Sequence, residues 1–215
     1  MKQIIKKAEP VKLTQYRLQS DAVYDGPNFT VVKNDIRTSL LEEQGYLCAY
    51  CMKRISFHNM KVEHWAPQET HPDKQLNYRN LLGCCKGNEG FPPSEQTCDT
   101  KKANLNLSFS PADSSCSIES KVIFANDGLV FSTDQKFDRE LNDILNLNYY
   151  RLKRNREEKL EGLKRVLNRD AGRRTKSQLQ ALISRYSSLD TNGMYREYAA
   201  VILGDLKKRY ARAPR

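Results

Sequence analysis

The feature that most constrains this chain is a C-x-x-C pair, Cys48-Ala49-Tyr50-Cys51, in a sequence with six cysteines. Two thiols three residues apart on a tight turn can aim both sulfurs at one tetrahedral ion. A closed structural site needs two more ligands, and Cys84, Cys85 and Cys98 are the candidates. Neighbouring side chains in an extended stretch point to opposite faces, so Cys84 and Cys85 do not comfortably share one ion. One of them completes a four-cysteine site with Cys98, and the other is a buried thiol. Cys116, beside Ser114 and Ser115, stands apart. A thioredoxin-like redox pair would precede a helix in a strand–helix–strand pattern, whereas this pair lies in a loop-rich basic region. Zinc is the expected ion.

The 215 residues suffice for one full core with an appended helical layer. Charged residues make up 29% and hydrophobic residues 39%, the balance of a folded rather than a disordered chain. A net charge of +10 favours polyanions such as nucleic acid. No apolar run approaches the roughly 20 residues that span a bilayer, and "MKQIIKKAEPVKL" lacks the apolar centre of a signal peptide. A cytoplasmic chain with no membrane partner is expected. In that reducing compartment cysteines serve as ligands or buried thiols rather than disulfides.

Residues 1–30 read as an irregular arm with a short strand at its start. Val32, Ile36, Leu40 and Leu41 have helical spacing, and Gly45 ends that run. "KVEHW" and "NLLGCC" are strand-like or short apolar segments. Residues 86–97, rich in Gly, Pro and polar side chains, form a loop, and a short helix starts at Cys98. Asp127-Gly128 marks a hairpin turn within residues 120–134. From residue 137 onward apolar stripes predict helices: Leu141, Ile144, Leu145 and Leu152; Leu160, Leu163, Val166 and Leu167; and Tyr198, Val201, Ile202 and Leu206. The division expected is an N-terminal arm and helix start at 1–37, a zinc-containing core at 38–110, and a hairpin with a helical region at 111–215.

The chain has three histidines, His58, His64 and His71. Only His64 follows a carboxylate, in "KVEHWAPQ". Taken singly, Glu63-His64 fits a surface loop, Asn80 a turn, and Asp99 a helix N-cap. Their order is more informative. A cysteine knuckle is followed by an acid–His pair before a proline, then "YRNLLGCC", then "TCDTKKAN". This order resembles the HNH endonucleases, with their zinc-stapled ββα-metal fold, and within them the Septu-type (PtuB-like) nucleases of bacterial anti-phage systems. "LNLNYYRLKRNR" fits the helical tail of that group.

The resemblance implies an α+β fold: a ββα-metal HNH core, a small β-hairpin and a mostly helical C-terminal region. It implies Cys48, Cys51, Cys85 and Cys98 as structural Zn²⁺ ligands, with Cys85 the cysteine five residues past the asparagine. Glu63 and Asp99 would hold a catalytic Mg²⁺ or Mn²⁺, His64 would deprotonate water, and Asn80 would orient the histidine and hold its loop. Lys102 and Asn104 match the basic and polar positions of the short helix and are expected at nucleic acid. Glu63 stands where Asp is commoner, Asp99 where His or Asn is usual, and twelve residues split the last cysteine pair. Oxygen ligands of this kind suit a hard cation. The implied function is phosphodiester hydrolysis, DNA favoured, beside an ATPase (PtuA-like) and a retron RNA/DNA complex. The alternatives are an RNA-cleaving toxin and a non-catalytic zinc module that binds nucleic acid or protein.

Between Arg151 and Lys176 lie eleven Lys or Arg and four Asp or Glu. This segment reads either as a phosphate-tracking surface with Arg154 and Arg156, or as a solvated helix face laced by i,i+4 pairs. The Tyr-rich last helix is an alternative docking site for a partner protein.

Overall fold

The computed structural model describes residues 1–169 and 174–213. Asp170 and Arg173 of the basic segment lie outside it. The N-terminal arm contains no strand. Pro10, with its fixed φ, precedes helix α1 (Val11–Tyr16), whose Leu13 and Tyr16 are buried. Tyr16 packs on Phe29, the first residue of α2 (Phe29–Glu43), at 5.1 Å between ring centroids. The predicted stripe of α2 is buried in full. Gly45 ends it at φ +55°, and a β-carbon there would lie 2.4 Å from the Tyr195 ring.

Strands β1 (Met60–His64) and β2 (Leu81–Cys85) pair antiparallel, Met60 opposite Cys85 and His64 opposite Leu81. Gln44, just past α2, clamps the middle of β2. Its amide donates to Gly83 O and accepts from Gly83 N, at 2.8 and 2.7 Å. Helix α3 (Cys98–Lys102) completes a ββα unit. Helix α4 (Ile118–Lys121), which the sequence reading missed, leads into a second hairpin, β3 (Ile123–Phe124) and β4 (Val130–Phe131). Gly128 turns this hairpin at φ +81°, and a β-carbon there would meet Lys153 O at 2.4 Å. Helix α5 (Gln135–Arg139) runs into a π-helical turn at residues 140–144. Then come α6 (Tyr150–Leu167), α7 (Lys176–Ser187) and α8 (Ala199–Arg212).

One buried cluster runs from Met1 to Leu152 and includes the cysteines, crossing the expected divisions at 37/38 and 110/111. A second joins α6, α7 and α8 through Leu163, Leu167, Leu179, Ile202 and Leu206. Each such leucine contributes about 1.5–3 kcal/mol of transfer free energy. The helical region is stitched to the cysteine knuckle: Tyr198 N donates to Met52 O at 3.2 Å, and Arg54 N donates to Glu197 Oε1 at 2.8 Å. No helix among the described residues is long and apolar enough to cross a membrane.

Candidate active site and metal centre

The first hairpin carries one cluster of ligand-type side chains at each end. At the Cys85 end, Cys48, Cys51, Cys85 and Cys98 are all buried, with their sulfurs within 4.8 Å of one another. Cys51 and Cys85 Sγ are 3.8 Å apart. Cys84, one residue earlier on the strand, is outside this set, although its thiol hydrogen-bonds to Cys48 at the edge of it. Four soft donors held this close can bind one metal ion such as zinc. The backbone bends to assemble them. Gly87 (φ +52°) accepts from Thr97 N at 2.9 Å, and a β-carbon there would sit 2.0 Å from Thr97 O. That pinch closes the twelve-residue loop and returns Cys98 to the cluster. Met52 and Cys98 themselves take left-handed φ of 63° and 55°. Such conformations cost on the order of 1–3 kcal/mol each and persist where the surroundings over-determine them.

Burial disfavours ionisation of the thiols. Hydrogen bonds from Cys51, Cys84, Cys85 and Cys98 nevertheless hold Cys48 well below the usual thiol value. Hydrogen bonds to its neighbours, together with burial, push Cys51 and Cys98 up.

At the other end of the hairpin, Glu63 is 4% exposed. Burial, then the hydrogen-bonded Asp99 carboxyl beside it, push Glu63 well above the usual carboxylate range, while Lys102 pulls it down. Tyr50 Oη donates to Glu63 Oε1 at 2.9 Å, and Lys102 Nζ reaches the same oxygen at 2.7 Å. Lys61 Nζ lies 3.2 Å from Asp99 Oδ2. The Glu63 and Asp99 carboxyls are thus hydrogen-bonded to each other and flanked by Lys102 and Lys61. A carboxyl pair from β1 and α3, Glu63 buried and Asp99 partly exposed, is a hard-donor set of the kind that fits a divalent cation.

His64 follows Glu63 on β1 and is 8% exposed. Its Nε2 lies 2.9 Å from Gln75 O. A carbonyl only accepts, so Nε2 carries the proton and Nδ1 keeps its lone pair in the neutral ring. Burial holds His64 below the ordinary imidazole value of 6.5. The Tyr24 ring packs edge-on against it at 4.4 Å, and Tyr24 N donates to Gln75 Oε1 at 2.9 Å. The Tyr24 hydroxyl is buried without a partner among the described residues.

Asn80 does not hydrogen-bond the histidine ring. Its side chain accepts from Ala66 N at 2.8 Å and donates to Ala66 O and Lys74 O at 3.0 and 3.2 Å. It fastens the two ends of the 65–80 connection, which in turn presents Gln75 O to His64. The ring-orienting role expected of Asn80 is carried by the Gln75 carbonyl.

Two residues expected at nucleic acid are buried instead. Lys102 has no exposed surface; besides Glu63 it donates to His64 O at 3.2 Å. Arg156 is 1% exposed and donates to Gly128 O and Leu147 O at 2.6 and 2.9 Å. Both positions read as surface because Lys and Arg are mostly exposed, but here each charge meets fixed acceptors indoors. Asn104 is exposed and bonds Glu69, and Arg154 is exposed and pairs with Glu158. His58 and His71 take no part in the site.

Sequence reasoning missed Tyr50, Lys61, Gln75 and Tyr24. Tyr50, inside the cysteine knuckle, ties that knuckle to Glu63. Lys61 had a readable signal: with Glu63 it alternates on β1, so both fall on one face of the strand. Gln75 acts through its main chain and Tyr24 from 40 positions upstream, so neither had a local signature.

No family model matches the chain. Two curated proteins resemble it. The "Septu protein PtuB" of Bacillus thuringiensis is 37% identical over 97 residues, which are 44% of this chain and 34% of that protein. The match thus spans about a third of that relative's length. The "Retron Vc95 putative HNH endonuclease" of Vibrio cholerae serotype O1 biovar El Tor is 30% identical over 154 residues, 67% of this chain and 72% of that protein.

Proposed function

The chain belongs to the HNH-type nucleases of the Septu and retron systems, and from that premise we propose that it hydrolyses phosphodiester bonds in nucleic acid, DNA favoured, as the effector of an anti-phage complex with an ATPase partner. The observation that carries this reading is the triad of Glu63, Asp99 and His64. Glu63 and Asp99 form a hydrogen-bonded carboxyl pair, and His64, next to Glu63 on β1 and within the electrostatic reach of Asp99, has its Nε2 already committed.

The chemistry of the residues follows from this arrangement. The neutral His64 ring takes a proton from water at Nδ1, because Nε2–H is spent on Gln75 O. Its depressed proton affinity keeps the base form dominant at neutral pH. The hydroxide equivalent so formed adds to phosphorus, and the P–O bond to the leaving 3′-oxygen breaks. Glu63 and Asp99 would hold the Mg²⁺ or Mn²⁺, which when bound neutralises phosphate charge and stabilises that leaving oxygen. Lys102 and Lys61 offset the repulsion between the two carboxylates and keep them in place. Tyr24 walls one edge of the His64 ring. Cys48, Cys51, Cys85 and Cys98 would hold a structural Zn²⁺ that fixes Asp99 by holding its neighbour Cys98.

The test is cleavage of DNA and RNA pools with Mg²⁺ or Mn²⁺, by wild type and His64→Ala, with and without the ATPase partner. Wild type should cleave, and His64→Ala should be slower by about 10²–10⁴-fold at unchanged zinc content. Cleavage unaltered in that variant removes His64 from the mechanism. Binding without cleavage under every metal leaves the non-catalytic zinc module, and RNA-restricted cleavage leaves the toxin.

A further inference from the structure

A cleft of about 640 Å³ opens between the end of β2 with its following loop and the first turns of α6. Its floor includes Cys85, and its walls include Lys53, Lys86, Tyr149, Tyr150, Arg151 and Arg154. The first turn of α6, which faces it, carries no acidic side chain. The ammonium groups of Lys53 and Lys86 have no ion-pair partner among the described residues, unlike those of Lys61, Lys102 and Lys153, which are matched. Unmatched cations lining a concave surface are positioned for phosphates rather than for fold stability.

The aromatic side chains of the cleft are arranged unequally. Tyr149 is 9% exposed, and its hydroxyl donates to Glu95 Oε2 at 2.8 Å, so it is fixed. Tyr150 is 60% exposed and leans on Tyr149 at 4.7 Å between centroids. Arg151 Nε donates to the Tyr150 hydroxyl at 2.8 Å. The Tyr150 ring is left largely in water, braced by Tyr149 and with the Arg151 guanidinium 5.6 Å from its centroid, so a base stacking there would share the ring with Arg151. Bases stack on aromatic faces when they are unpaired. In a duplex the bases are already stacked and their faces are closed to a side chain.

Side-chain contacts link the rim of the cleft to the carboxylate pair. Glu89, on its rim, lies 3.3 Å from Lys61 Nζ, which bridges to Asp99 at 3.2 Å. Lys61 Nζ also donates to Thr100 Oγ1 at 3.3 Å, and Thr100 Oγ1 donates to Lys86 O at 2.9 Å. A strand whose phosphate reaches Asp99 would pass Lys61 and enter the cleft at Lys86.

We infer that this cleft holds a single-stranded segment of the nucleic-acid substrate, with an unpaired base stacked on Tyr150 and its phosphates on Lys53, Lys86 and Arg151. The inference rests on the nuclease reading of the Glu63–Asp99–His64 site and adds where the strand runs and that it is unpaired there.

The experiment is fluorescence anisotropy of labelled single-stranded DNA, single-stranded RNA and duplex DNA, with the full chain carrying His64→Ala so that the probe survives. Adding Tyr150→Ala should weaken single-strand binding about tenfold. Tyr150→Phe should restore it, because the ring and not the hydroxyl is the platform, and duplex binding should move little. Lys53→Ala with Lys86→Ala should flatten the salt dependence of single-strand binding. The two single-strand probes distinguish a deoxyribose from a ribose strand. Equal affinities for the parent and Tyr150→Ala, or the same loss on duplex and single strand, would overturn the inference. Loss in Tyr150→Phe equal to that in Tyr150→Ala would do so as well. If wild-type chain binds single strands through Tyr150 but cuts nothing, the cleft stands and the nuclease reading falls. If it cuts and Tyr150→Ala on the wild-type background cuts equally well, the nuclease reading stands and the cleft falls.

Discussion

The two ends of one hairpin of two five-residue strands are built by opposite electrostatic rules. At the Cys85 end, four thiols converge, and each can reach its partners only by sharing protons or giving them up to a cation. At the Glu63 end, two carboxylates converge with two lysines supplied to balance them. Cys98 and Asp99 are consecutive residues of α3, and one belongs to each cluster. The contrast teaches that ligand clusters can differ in how far the protein alone completes them. The sulfur set is closed, and an ion there would be structural. The carboxyl pair is already balanced by Lys61 and Lys102 and by its own hydrogen bond, so an ion there would not be needed to hold the fold.

That comparison can be broken at either end. The largest effect is expected from Cys85→Ser, since structural zinc supplies on the order of 10–16 kcal/mol in small zinc modules. The variant should lose zinc and its cooperative melting transition, read by metal analysis and calorimetry. Cys84→Ser should keep its zinc, and equal loss in both would mean that Cys84 is a ligand. Next comes His64→Ala, with its drop in cleavage at constant zinc. Lys102→Met should cost about 1–3 kcal/mol of metal-free stability, because the buried His64 O loses its donor while Glu63, no longer pulled down by the lysine, keeps its proton. Added Mn²⁺ should then raise the melting temperature of Lys102→Met more than that of wild type. A variant as stable as wild type without metal would show that His64 O does not need its lysine donor.

A smaller effect concerns pH. His64 binds protons less readily folded than its ordinary value of 6.5. The base form is thus lost only as pH falls below 6.5, and the acid limb of the cleavage profile should lie there. A limb at or above 6.5 would place His64 in a more solvated setting than the burial found. Least of all, Asn104→Ala should change stability by no more than about 0.5 kcal/mol, because it removes one exposed contact with Glu69. A large loss of single-strand affinity in that variant would extend the binding surface past α3.

Much of this could be read before folding. The knuckle, the stripe of α2, the Asp-Gly turn and the three C-terminal helices all have local causes: ligand spacing, apolar period and backbone permissiveness. The choice of Cys85, implied by a resemblance, agrees with the strand geometry. The errors share one cause as well. Residue type and position put Lys102 and Arg156 at nucleic acid and Asn80 at the histidine ring, while the loop-holding half of the Asn80 expectation agrees with its hydrogen bonds. Their partners come from elsewhere in the chain: Glu63 on β1 for Lys102, Gly128 and Leu147 for Arg156, and Ala66 and Lys74 for Asn80. No spacing within a short window reports such pairings.

The sequence by itself determined which atoms are available for chemistry, namely four thiols, two carboxylates and an imidazole, in an order that one ββα unit can gather. Only the tertiary structure decided their states. It spent His64 Nε2 on a backbone carbonyl, buried Lys102 against Glu63, and left Lys53 and Lys86 unmatched beside an exposed Tyr150. The physical reason is that charge state and hydrogen-bond capacity depend on burial and on partners distant in sequence, which exist only once the chain has closed on itself.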